Sequence, residues 1–200
     1  MIEFDLTFPC SYEVEELREF PGTGKFSVPV YSFPRPDAGR EVTGLWLKIN
    51  PASGRAWVGV FAWGFPRGYI FSRILSTPDP ARLCVISKSA AYIVNTEDPD
   101  IWEKVWTTPV LDVRLVPEHN ILVFSDFTCL AAYGNGGLVW KSSRVCWDDL
   151  KIRNVTGETI EGTGYDPTNS ITHESRFVVD LKTGNSLLPP PQSVDGRPVW

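Results

Sequence analysis

The sequence predicts a nearly all-β protein, and three observations carry that reading. Seventeen prolines and sixteen glycines among 200 residues break the chain every few positions. An uninterrupted helical pattern of about twelve residues has little room between them. Short runs rich in aliphatic, β-branched and aromatic residues recur between those breaks, and a turn flanked by apolar residues returns along the chain at a fairly even period.

Taken in order, residues 1–40 are a lead-in segment. Within it, Tyr12 to Phe20 (YEVEELREF) has acids early and Leu17 and Phe20 at helical spacing, which predicts one short helix. Strands follow. Leu45 to Ile49, Ala56 to Phe61, Tyr69 to Leu75, Leu83 to Ser87, Leu111 to Val116 and Ile121 to Ser125 are short, apolar and bounded by turn residues. A Pro-rich tail over residues 189–200 closes a chain whose length suits one domain, since domains run from about 50 to 250 residues.

Four segments align without gaps on one template: Ile49 to Trp57 (INPASGRAW), Val94 to Trp102 (VNTEDPDIW), Ala132 to Trp140 (AYGNGGLVW) and Val179 to Leu187 (VDLKTGNSL). Trp57 and Trp102 stand 45 positions apart, Trp102 and Trp140 38, and Trp140 and Leu187 47. Asn or Asp at a turn entrance can hydrogen-bond its own backbone, and Gly supplies positive φ, so each segment reads as a hairpin. Further turns at Thr77 to Pro80, Pro117 to Asn120 and Thr156 to Glu158 place a second hairpin upstream of three of them. Residues 70–106, 110–144 and 149–188 therefore each read as a four-stranded antiparallel meander, with a partial unit at 41–63.

This pattern resembles the blades of β-propellers, and Ala131 to Trp140 and Val178 to Gly184 look like the outer hairpin of quinoprotein-type repeats. The resemblance implies architecture and no chemistry. Propellers close with about four to eight blades, more than the three full units here. Stacked sheets, a sandwich, or a barrel whose first strand runs from Lys25 to Ser32 stay open as arrangements.

Composition narrows the function classes. A net charge of -5 with no basic cluster argues against a nucleic-acid partner. No run approaches the roughly 20 apolar residues that span a bilayer, so no membrane role is expected. Acids at Glu3 and Asp5 do not suit a secretory leader. Cys10, Cys84, Cys129 and Cys146 are scattered, without a C-x-x-C pair, and read as reduced thiols of a cytoplasmic protein. The carboxylate groups Glu13, Glu15, Glu16 and Glu97, Asp98, Asp100 read as solvated acids, and neither a metal nor a cofactor is expected.

Chemistry-bearing residues are few. His119 falls in a turn, whereas His173 lies in a polar loop with Asp166, Ser170 and Glu174. Those four supply the acid, base and nucleophile types of a hydrolase and are the catalytic candidates. The motifs of serine hydrolases, phosphate loops and zinc proteases are absent. Trp57, Trp102 and Trp140 occupy the template and read as structural. Trp63 and Phe65 beside Arg67, and Trp147, lie in connections, where an aromatic and cationic patch suits an interface. The expectation is a soluble module that binds a protein or a small polar ligand. A small hydrolase working through residues 166–175, or a subunit of a larger assembly, are the alternatives.

Overall fold

A computed structural model describes residues 2–18, 25–37, 42–65 and 71–189. The chain divides into two compact units, Met1–Thr108 and Pro109–Trp200. Both are built from β-strands, and among the described residues the helical content is one 3₁₀ turn, Pro117–His119.

The first unit holds β1 (Glu3–Asp5), β2 (Tyr12–Glu16), β3 (Val30–Phe33), β4 (Gly44–Pro51), β5 (Trp57–Ala62), β6 (Arg73–Ser76), β7 (Arg82–Ser87), β8 (Ala90–Asn95) and β9 (Trp102–Lys104). They form two open sheets, ordered β2-β4-β5-β3 and β1-β6-β7-β8-β9. Strands β6 to β9 are an antiparallel meander. Two pairings are parallel: β1 lies against β6 and β3 against β5. Leu47, Ile49, Trp57 and Phe61 from one sheet and Ile74, Leu83, Val85 and Tyr92 from the other share one apolar cluster. Phe33 stacks on Phe61 within it, centroids 4.8 Å apart.

The second unit holds β10 (Asp112–Val116), β11 (Ile121–Ser125), β12 (Leu130–Gly134), β13 (Gly137–Lys141), β14 (Asp148–Val155), β15 (Thr159–Tyr165) and β16 (Glu174–Asp180). Strands β10 to β13 make a four-stranded sheet and β14 to β16 a three-stranded one, each an antiparallel meander. A fourth position beside β16 is taken by a single bridge, Val179 to Ser186. Val123, Ala132 and Trp140 share a core with Leu150, Ile160, Phe177 and Val179 from the neighbouring sheet.

The expected helix at Tyr12 to Phe20 is not formed. Tyr12–Glu16 is β2, paired antiparallel with β4 from Tyr12 opposite Pro51 to Glu16 opposite Leu47, while residues 19 and 20 lie outside the described residues. The reason is a period of two: Tyr12 and Val14 face inward while Glu13 and Glu15 are exposed. A partner strand about 35 residues away rewards that alternation more than local acids reward a helix. Between Lys25 and Ser32 only the last three residues enter a strand, β3, and its sheet is open at both edges rather than closed as a barrel. From the expected strand at Tyr69 to Leu75 the structure forms β6, starting at Arg73, and residues 69 and 70 lie outside the described residues.

The four aligned segments are all chain reversals between antiparallel neighbours. Their turn chemistry is visible atom by atom. Asn95 Oδ1 accepts from the backbone N–H groups of Glu97 (2.9 Å) and Asp98 (3.0 Å), and Asp180 Oδ1 accepts from those of Lys182 (3.1 Å) and Thr183 (2.8 Å). Two of the three tryptophans that end a segment reach the next sheet, while Trp102 packs against Phe33 and Tyr92 in its own unit. Trp57 Nε1 donates to the Thr96 carbonyl at 2.8 Å, and Trp140 Nε1 donates to the Leu181 carbonyl at 2.8 Å. Thr96 and Leu181 occupy the same position of their segments, two residues after its start. Gly184, at φ +73°, lies directly beneath the Trp140 ring, where an added Cβ would come within 2.5 Å.

Candidate functional site

The loop between β15 and β16 carries Asp166, Ser170 and His173, Glu174 opens β16, and the loop's hydrogen bonds fold it onto itself. Asp166 Oδ1 accepts from the Thr168 backbone N–H (2.8 Å) and hydroxyl (2.6 Å). The link between Asp166 and His173 is main chain to main chain, the Asp166 N–H donating to the His173 carbonyl at 2.9 Å. The His173 ring stacks on Tyr165 at 6.3 Å, and its backbone is left-handed at φ 54°. Ser170 and Glu174 are exposed, and Glu174 contributes its main-chain carbonyl to Asn169 Nδ2 at 2.8 Å. These bonds make a compact surface loop. The acid's contacts run to a threonine, not to the imidazole.

The aromatic candidates fall in different units. In the second, the Arg144 guanidinium sits over the Trp147 ring, 5.6 Å from its centroid, and its Nη2 donates to the Trp147 carbonyl at 2.9 Å. In the first, Trp63 follows β5 and is 45% exposed. Arg67 lies outside the described residues.

Trp63 is held by its main chain. Its N–H donates to the Thr43 carbonyl (3.1 Å), that of Gly64 to Ser87 (3.0 Å), and that of Phe65 to Lys88 (3.0 Å), so this segment is strapped across the β7–β8 hairpin. Beneath it the Tyr92 hydroxyl donates to the Ala62 carbonyl at 3.1 Å. Burial pushes the Tyr92 phenol up to about 12.

The hairpin itself is unusual. Lys88 (φ 44°) and Ser89 (φ 66°) form a two-residue turn with both φ positive, a geometry that normally selects Asn-Gly. Non-glycine residues in it store strain, and such strain concentrates at functional positions. Here it delivers the Lys88 ammonium to 3.3 Å from the Trp63 ring centroid, a cation–π contact. A concavity of about 430 Å³ opens beside this pair, lined by Ile2, Leu17, Leu45, Trp46, Trp63 and Lys88 among others. Arg18 stands at its rim, paired with Glu16 at 2.8 Å. Glu16 lines it too, so an apolar floor is edged by charges of both signs.

Of the residues singled out in the sequence, Trp63 lines this hollow and Phe65 does not, while Trp46 and Lys88 were not singled out. Trp46 sits mid-strand in β4, with nothing local to mark its face as lining a hollow. Lys88-Ser89 lacks the glycine or asparagine by which such turns are recognised.

No family model matches the chain, and no curated protein matches it. Among solved structures, a chain of the S. cerevisiae dbp5 complex with nup159, gle1, ip6 and adp is similar at 9% identity and a TM-score of 0.25, over 92% of this chain and 68% of that one. A score that low assigns neither fold nor function.

Proposed function

We propose that this protein is a binding or interaction module, with the hollow around Trp63 as its contact surface. The observation that carries the reading is an exposed tryptophan, held rigidly by three main-chain bonds and faced by a lysine that a strained turn positions. Rigid aromatic anchors beside a pocket, ringed by polar groups, are what interfaces use. Four free thiols, two of them buried, support a cytoplasmic setting. No helix among the described residues is long and apolar enough to cross a membrane.

We also infer that the four reversals belong to one repeated plan of the propeller-like kind. The matched Trp57 and Trp140 bonds, each ending on the same position of the following segment, support it.

The test is capture of partners from cell extract by the protein and by Trp63→Ala and Lys88→Ala variants of unchanged circular dichroism. Loss of one partner set in both variants is expected. Full retention of every specific partner by the double variant contradicts the reading.

A further inference from the structure

A second hollow in the first unit, larger than the one beside Trp63, is built by two of the reversals. The β4–β5 loop and the β8–β9 loop enclose about 640 Å³ lined by Tyr31, Arg55, Trp57, Glu97, Asp98 and Pro99 among others. Its frame is fixed at three points. Trp57, 3% exposed, ties its loop to the other through Nε1 and the Thr96 carbonyl. Tyr31 meets Trp57 edge-on at 5.6 Å. The Ser53 N–H donates to Glu97 Oε1 at 3.2 Å, joining the two loops again at the rim.

The charges on this frame are of both signs. Hydrogen bonds from Ser53, and then the nearby Arg55 guanidinium, hold the Glu97 carboxyl below the usual carboxylate range, so it is ionised at neutral pH. Asp98 is exposed beside it, and its Oδ1 accepts from the Asp100 N–H at 3.1 Å, which orients the carboxylate. Arg55 is exposed on the opposite loop and makes no hydrogen bond or ion pair within 4.0 Å among the described residues. A purely anionic ligand would meet the two carboxylates, and a purely cationic one would meet the guanidinium.

We propose that this cleft binds a small zwitterion of the amino-acid type: its carboxylate on Arg55, its ammonium on Asp98, and an apolar or aromatic side chain against Tyr31. A planar guanidinium grips a carboxylate with two parallel bonds, and an aromatic wall takes the side chain. This site goes beyond the reading built on Trp63, which does not line it.

The test is calorimetric titration with four probes: phenylalanine, phenylacetate, phenethylamine and N-acetylphenylalaninamide. Phenylalanine should bind at least about tenfold more tightly than any of the other three, because each lacks one or both charged contacts. Arg55→Gln and Asp98→Asn should each weaken phenylalanine by about tenfold, while Trp63→Ala leaves it unchanged. Binding of phenethylamine or phenylacetate equal to that of phenylalanine overturns the proposal, as does absence of phenylalanine binding to the folded wild-type protein. The probe comparison needs no variant, so a misfolded variant cannot obscure the answer.

Discussion

An indole N–H is a single donor, and a buried tryptophan must find it an acceptor. Trp57 and Trp140 both find a main-chain carbonyl in the neighbouring sheet at 2.8 Å. Trp140→Phe keeps most of the ring and loses the bond, leaving the Leu181 carbonyl without this donor. A loss of about 1–3 kcal/mol in urea unfolding is expected. Trp140→Ala should cost about 3–5 kcal/mol through the cavity it leaves. A bulky residue at the same place in successive segments suggested one packing role, which Trp57 and Trp140 share, whereas Trp102 packs within its own unit and Leu187 is 56% exposed. The site was legible only where composition marked it. Trp63 stood out beside Gly and Pro, whereas Lys88 is one of several scattered cations until the turn brings it over the ring.

At the level of elements, turns and partners decided what could be read. Asx-type entrances at Asn95 and Asp180 follow from local chemistry and were foreseeable. The parallel strand β1 was not, because Glu3–Asp5 becomes a strand only by meeting Arg73–Leu75, seventy residues on. β2 was misread for the same reason. Two turn glycines make a controlled comparison. Gly54 and Gly184 share positive φ, +76° and +73°, but an added Cβ meets nothing within 4 Å at Gly54 and the Trp140 ring at 2.5 Å at Gly184. Gly54→Ala should cost about 1 kcal/mol of backbone strain, and Gly184→Ala distinctly more, read from the shift in denaturation midpoint. Hydrogen bonds from the Thr183 hydroxyl and backbone hold the Asp180 carboxyl below its ordinary range. Its stabilising contribution is full above the unfolded value and is lost as pH falls through the lowered folded one. Asp180→Asn should therefore lower the melting temperature at pH 7, with a difference that shrinks in strong acid.

At the scale of the whole molecule, two open-sheet units each close a core between a pair of sheets, and buried acids of high pKa tie both to pH. Burial pushes Tyr92 in the first unit and Cys146 in the second up to about 12, and raises Tyr12 and Cys84 as well. The neutral forms are favoured on folding. Stability is thus intact below the unfolded values, about 9 for thiol and 10 for phenol, and declines as pH climbs toward 12. Urea midpoints should fall steadily between pH 9 and 11 while far-ultraviolet spectra at pH 7 show predominantly strand. Trp57 and Trp140 dock one sheet onto the turn of the next, and indole hydrogen exchange in ¹⁵N-labelled protein tests that most directly. The two signals that vanish in Trp57→Phe and Trp140→Phe should exchange far more slowly than that of half-exposed Trp63. Exchange of all three at the same rate would contradict the account.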